Sequence, residues 1–390
     1  VRIALVIENS IHSHGGVEIL TRELIRGLAG SCNVFLASPD DEGTLSADMS
    51  LTNELCGHFR IDPSKTGWRS DLAVWMGAQS IDLWHLQSGG TYAWGSGGWG
   101  PSLVGELSLS GIHCINTNHQ AVSPWDADFR GHSFARRFAG FLNRWPSKAR
   151  HLMMTEREVM VSDHDLRIAS RCYPFQAHKM LRIYHSRIDP LALPSLNDVT
   201  DNSHKIISLA TITPRKGQAV LLNAFCRAAR QFPGWTLHFH GMCHDQDYLE
   251  SMVQTAALSG LSHRVRFEGP TNDHLGVLAG AGIYVQPSYL EALGLSLQEA
   301  LSLGRPCIGS RVGGIPELIE HGIDGLLFSP GNVSELAEAL SILMSDEWVR
   351  GRLGTAGRLK ISRLGMNRDQ MAASYLDLYR QTIQSPTKTR

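Results

Sequence analysis

At roughly 100–200 residues per domain, a chain of 390 residues favours two to three domains and carries enough apolar material for two buried cores. Hydrophobic residues at 43% and charged residues at 19% exclude a disordered or collagen-like chain in spite of 38 glycines. Lys+Arg (36) and Asp+Glu (37) nearly cancel, so no global field draws the chain to nucleic acid or an anionic membrane, and an anionic ligand must be caught locally.

Short apolar runs alternate with longer helical patterns along the chain, at residues 3–7, 34–37, 81–86, 112–117, 159–162 and 180–184, then 206–210, 237–239, 265–267, 283–285 and 307–308. Such alternation predicts an α/β fold of parallel sheets with helices on both faces. Residues 189–198, with two prolines among polar turn residues, break both periodicities and place a boundary there. The expected domains are doubly wound and Rossmann-like, at residues 1–190 and 191–365, with ligands at the carboxyl ends of their strands in one cleft.

Within the first domain, residues 88–100 form a glycine-rich loop after a strand and carry Trp94 and Trp99, expected acceptor contacts because exposed aromatics pack on sugar faces. Residues 130–145 place Phe134, Phe138, Phe141 and Trp145 on one helical face and Arg136, Arg137 and Arg144 elsewhere. This pattern fits either a helix packed on a sheet or peripheral membrane contact through 130–150. Seven scattered cysteines without a C-x-x-C spacing suggest a reduced, cytoplasmic compartment and no cysteine-rich zinc site. The opening run meets its first acid too soon for a signal segment, and no 18-residue apolar stretch occurs, so neither export nor a membrane span is expected.

The stretch 283–306 reads as strand, loop and a helix that opens near Gly294 and is stopped by Gly304 and Pro306. Free N–H groups at Gly294, Leu295 and Ser296 suit a phosphate. Glu299, one turn inside on the face of Leu295 and Ser296, can accept both hydroxyls of a diol such as a ribose, and Glu291 can grip a second set beyond the phosphates. Two carboxylates flanking a phosphate site fit a nucleoside diphosphate with a sugar at each end. Asp126/Asp128, Asp163/Asp165 and Asp245/Asp247, and the run His12-Ser13-His14, have metal-ligand residue types, but their contexts are unrelated and no metal is expected at them.

The spacing of Glu291 and Glu299, Gly304-Arg305-Pro306 and Val312-Gly313-Gly314-Ile315-Pro316-Glu317 together resemble the donor signature of retaining, GT-B-fold nucleotide-sugar glycosyltransferases of the family 4 type. Thr213-Pro214-Arg215-Lys216-Gly217, His240-Gly241 and Val265-Arg266-Phe267-Glu268-Gly269 are similar to further motifs of that family. So are Gly15-Gly16-Val17-Glu18, Asp82-Leu83-Trp84-His85, Thr117-Asn118-His119 and Met160-Val161-Ser162 in the first half. The resemblance implies that Lys216 pairs with the donor diphosphate, Glu299 holds the ribose, Glu291 the transferred sugar, and His119 lies beside that sugar on the opposite wall. It further implies close backbone approach at Gly15 and Gly16, and a C-terminal helix at 366–385 packing back on the first domain.

Arg215 and Lys216 with the helix start would replace a metal, so no cofactor is expected beyond the nucleotide sugar as co-substrate. The implied reaction moves a hexose-type sugar to a hydroxyl acceptor of the saccharide, lipid-linked or small-molecule kind, with retention of configuration. The chain departs from the family at Thr211, where arginine is usual, at Ala292-Leu293-Gly294 in place of Gly-Phe-Gly, and at His185-Ser186-Arg187-Ile188-Asp189. A sugar-nucleotide 2-epimerase and a non-catalytic sugar-nucleotide binder remain as alternatives. A nicotinamide dehydrogenase is disfavoured because the first strand lacks G-x-G-x-x-G. Base, sugar, acceptor and oligomeric state leave no motif.

Overall fold

Ile3, Ala4, Leu5, Val6 and Ile7 are each 0% exposed, as an unbroken apolar strand must be when helices cover both of its faces. The computed structural model describes residues 1–13, 15–46, 48–91, 103–121, 123, 134–193 and 204–385. Val1–Arg187 with Asn367–Arg390 forms one unit and Ile188–Met366 the other.

The first unit holds β1 (Arg2–Ile7), β2 (Asn33–Ser38), β3 (Leu55–Arg60), β4 (Leu83–Ser88), β5 (His113–Asn118), β6 (Arg157–Met160) and β7 (Met180–Arg182) in a parallel sheet ordered β3-β2-β1-β4-β5-β6-β7. The second holds β8 (Lys205–Leu209), β9 (Thr236–His240), β10 (Val265–Gly269), β11 (Ile283–Gln286), β12 (Cys307–Ser310) and β13 (Leu326–Phe328) in a parallel sheet ordered β10-β9-β8-β11-β12-β13. Two strands were not expected from the sequence. β3, Leu-Cys-Gly-His-Phe-Arg, is an edge strand without an apolar run, and β13 has only three residues.

Each sheet is sealed by helices whose apolar residues recur every three or four positions. In the first unit the helix Gly16–Leu28 buries Leu20, Leu24, Ile25 and Leu28, while Trp68 and Trp84 belong to the core. In the second, Leu221, Leu222 and Phe225 of Gln218–Ala228 and Leu336, Leu340 and Leu343 of Val333–Ser345 pack with Phe239 and Phe328. The sequence stripe at 130–145 is divided. The helix Phe134–Met154 stacks Trp145 on Tyr173 at 6.0 Å and donates its indole N–H to the Cys172 carbonyl at 2.7 Å, whereas Phe138 is 45% exposed. No helix among the described residues is long and apolar enough to cross a membrane.

The helix Arg368–Gln384 belongs to the first unit and is tied to its sheet by a buried polar network. The Tyr379 hydroxyl lies 2.8 Å from His85 Nδ1, and the Tyr375 hydroxyl lies 2.7 Å from Thr117 Oγ1 and 2.6 Å from His185 Nε2. His85 Nε2 lies 2.7 Å from Thr117 Oγ1, and His119 donates from Nε2 to Gln87 Oε1 at 2.8 Å with its ring edge-on to His185 at 4.9 Å. Burial pushes the His119 imidazole down to about 3. Burial, then the proximity of His119, holds His85 and His185 well below the ordinary histidine value. These rings are therefore neutral hydrogen-bonding groups at neutral pH.

A histidine buried neutral makes the unfolded chain the stronger proton binder, so stability falls as pH falls from about 6.5 towards 3. From the His119 value of about 3, its share of that loss between pH 8 and pH 5 is about 2 kcal/mol. Urea unfolding at the two pH values should show His119→Asn losing less stability on acidification than the parent by that amount. An unchanged pH dependence would refute the buried neutral state.

Candidate active site

β11 leads directly into the loop that carries Glu291, and its last residue begins the support of that carboxylate. Gln286 Nε2 donates to Glu291 Oε1 at 2.7 Å, Ser288 Oγ at 2.7 Å and Lys216 Nζ at 2.5 Å. Gln286 is itself oriented by Tyr284, whose hydroxyl donates to its Oε1 at 2.9 Å. Burial alone would raise the Glu291 carboxyl, but the Lys216 charge and the three hydrogen bonds outweigh it and hold the group below the ordinary value. Glu291 is 8% exposed and Lys216 16%, so the pair is largely out of water.

Two glycines let the surrounding backbone come this close. Gly217, at φ +71, ends the turn Pro214–Lys216, and a Cβ there would collide with the Pro287 carbonyl. Gly313, at φ +55, lies against the Glu291 carbonyl, and Gly314 N–H bonds the Ala292 carbonyl at 2.9 Å. The run Val312–Glu317 thus backs the Glu291 loop, which explains why the two sequence motifs occur together. Tyr289 N–H donates to the Arg215 carbonyl at 2.9 Å and joins the two loops, and Arg215 itself is exposed, with Nη1 3.4 Å from the Leu290 carbonyl.

Gly294, at φ +90, turns the chain into the helix Leu295–Ser302. Its first backbone bond runs from Gln298 N–H to the Gly294 carbonyl, so the N–H groups of Leu295, Ser296 and Leu297 lie ahead of the helical ladder. Glu299 sits one turn in, 1% exposed, with Oε1 3.1 Å from Nε2 of His274. Leu293, where the family commonly has phenylalanine, is buried.

Gly15 and Gly16 form the cap and first residue of the helix that follows β1, and the nearby Glu18 carboxylate accepts from Asn9 Nδ2 at 2.8 Å. His119 follows β5 in the first unit. Lys216, Arg215, Glu291, Gly294, Leu295, Ser296 and Glu299 all belong to the second. The carbonyl of Thr211, at the usual arginine position, accepts from Gln218 Nε2 at 2.9 Å. Trp94, Trp99, Asp126, Asp128 and His14 lie outside the described residues. The other Asp-x-Asp pairs have local tasks: Asp163 pairs with Arg182, Asp165 accepts from Ala121 N–H, and Asp245 caps the helix Gln246–Leu258. Tyr284, Gln286, Ser288 and His274 were not singled out from sequence, since the first three make contacts set by the path of the β11 strand and its loop, and His274 meets Glu299 from a separate segment.

The family profile described as Glycosyl transferases group 1 matches residues 164–360, half of the chain. Among curated proteins, N-acetyl-alpha-D-glucosaminyl L-malate synthase of Bacillus anthracis is 28% identical over 177 residues, 45% of this chain and 45% of that protein. D-inositol 3-phosphate glycosyltransferase of Streptomyces bingchenggensis is 33% identical over 143 residues, 36% of this chain and 31% of that protein. The matches thus span less than half the length of either relative. Among solved structures, HepE of Anabaena in complex with UDP superposes with a TM-score of 0.76 at 17% identity, covering 98% of this chain and 100% of that one. Sucrose-phosphate synthase of Thermosynechococcus elongatus gives 0.72 at 20%, covering 97% and 98%. At such identity the likeness speaks for the fold, while the profile match speaks for the family: this chain belongs to the glycosyl transferases group 1 family and has the GT-B fold.

Proposed function

We propose that this glycosyltransferase moves a hexose-type sugar from a nucleoside-diphosphate sugar to a hydroxyl acceptor, with retention of configuration and without a metal at the reacting phosphates. The observation that carries the reading is the buried Glu291 carboxylate, gripped by Lys216, Ser288 and Gln286 beside a helix start whose Glu299 is also buried. HepE of Anabaena, solved with UDP-glucose, supports the donor class, and the family resemblance supports retention.

The roles follow from charge. A nucleoside diphosphate gains negative charge as the glycosidic bond breaks, and fixed cations and N–H dipoles stabilise it without reorganising. An ammonium has three donors, and Lys216 can bridge Glu291 and a phosphate at once. Arg215 adds a second cation, and the N–H groups of Leu295 and Ser296 add the positive end of the helix dipole. Glu299 accepts from the ribose hydroxyls and Glu291 from those of the transferred sugar. His119, kept neutral by burial, offers hydrogen bonding and no cationic contact to phosphate.

The two glutamates separate in a direct experiment. Glu299→Ala should weaken bare nucleoside diphosphate and intact donor alike by about 1.5–3 kcal/mol, while Glu291→Ala should spare the nucleotide and lower kcat. Calorimetry and steady-state kinetics check both, and the opposite pattern would reverse the donor's orientation. Turnover should also survive excess EDTA. Loss on chelation, restored by manganese or magnesium, would overturn metal independence.

Because Lys216 and Glu291 form a largely buried pair, Lys216→Met should cost about 3 kcal/mol of stability by stranding a carboxylate. Adding Glu291→Gln should recover part of that loss in denaturant unfolding. No recovery would show that the pair is not what stabilises the loops.

A further inference from the structure

The outer edge of the second sheet carries a group of side chains that the donor site does not use. Along β9, alternation sends Leu237 and Phe239 into the core and Thr236, His238 and His240 to the opposite face. On the neighbouring β10 the register shifts between Phe267 and Gly269, where Glu268 lies. Glu268 Oε1 stands 2.9 Å from His238 Nδ1, and the rings of His238 and His240 stack 6.5 Å apart at 13°. One ligand atom from each of His238, His240 and Glu268 lies within 4.8 Å of the other two.

We propose that His238, His240 and Glu268 form a binding site for a divalent transition ion of the zinc class. Two imidazoles and one carboxylate are a donor set that zinc, cobalt and nickel favour, whereas magnesium and calcium need more oxygens than this cluster holds. The charges facing the cluster from its neighbours, Lys205 across from Thr236 and Arg266 across from His238, are cationic, so the ion must be held by its ligand bonds and not by a net negative field.

The cluster has the support such a site requires. His238 Nε2 lies 2.9 Å from Thr236 Oγ1, which fixes the ring with Nδ1 towards Glu268. Without metal, a proton on Nδ1 serves the hydrogen bond to Glu268. On binding, the ion takes that place and the N–H lies on Nε2, where the Thr236 hydroxyl accepts its hydrogen bond. Tetrahedral ligands with bonds of about 2.0–2.1 Å stand about 3.3 Å apart, so the His238–Glu268 contact needs to open only slightly. Side-chain exposures of 15% at His238 and 40% at Glu268 leave water able to complete the coordination.

The ion would fasten β10 to β9 at the sheet's edge and take no part in sugar transfer, so this inference stands apart from the proposed reaction. The full chain, equilibrated with zinc and then dialysed, should retain one ion. His240→Ala and Glu268→Gln should bind it at least tenfold more weakly while melting like the parent in its absence, and Thr236→Val should weaken it about tenfold. Cobalt should give visible d–d bands without the near-ultraviolet charge-transfer band of a thiolate. Equal zinc retention by the variants, no retained ion in the parent, or a thiolate band from a cysteine would overturn the assignment.

Discussion

The loops around Glu291 depend on keeping one carboxylate ionised inside the protein. An isolated buried carboxylate is expensive enough that it would ordinarily take up a proton, and Glu291 escapes this because three donors converge on a single oxygen. Those donors come from the turn after β8, from the end of β11 and from the loop itself, so the charge is satisfied only when all three segments are in place. The glycines at 217 and 313 follow from the same demand. Any side chain there would push the Pro287 or Glu291 carbonyl outward and open the cluster.

The first unit solves a different problem with the same economy. Its C-terminal helix returns to the sheet through tyrosine hydroxyls that meet histidines, so the contact is directional as well as apolar. Burial keeps those histidines neutral, which makes each ring one donor and one acceptor and lets hydroxyls on either side choose their direction. His119 inherits its orientation from this arrangement through Gln87, and its neighbour His185 stands where the chain departs from the family's usual turn. That departure therefore has a physical partner: the imidazole of His185 is what Tyr375 holds.

What was legible in the sequence follows from how locally each feature is encoded. The central strand β1 carries an unbroken apolar run and β8 a mostly apolar one, so both could be read directly, and the Glu291-to-Glu299 spacing announced a helix start between two carboxylates. β3 was hidden because an edge strand need not be apolar, and β13 because three residues carry no period. Gln286 and Ser288 stood inside a recognised motif yet gave no sign of their task, since the bond each makes is set by the path of the loop. The link from His85 to Tyr379 spans 294 positions, and no pattern in either segment points to the other.

Near-neutral composition, with 36 basic against 37 acidic residues, means that recognition of an anion must be built rather than inherited from net charge. In the proposed donor site the second unit would build it by holding a cation in place with a carboxylate, which costs attraction but gains position. Lys216 alone would be a flexible chain whose ordering opposes binding, whereas Lys216 paired with Glu291 is ordered before any phosphate arrives. The pairing cancels the lysine's net charge, and the exposed Arg215 and the helix start beyond Gly294 restore the positive balance without needing a long-range field. On the proposed reading the same carboxylate that orients the cation would also face the sugar, which would couple binding of the phosphate end to alignment of the transferred end through one ion pair.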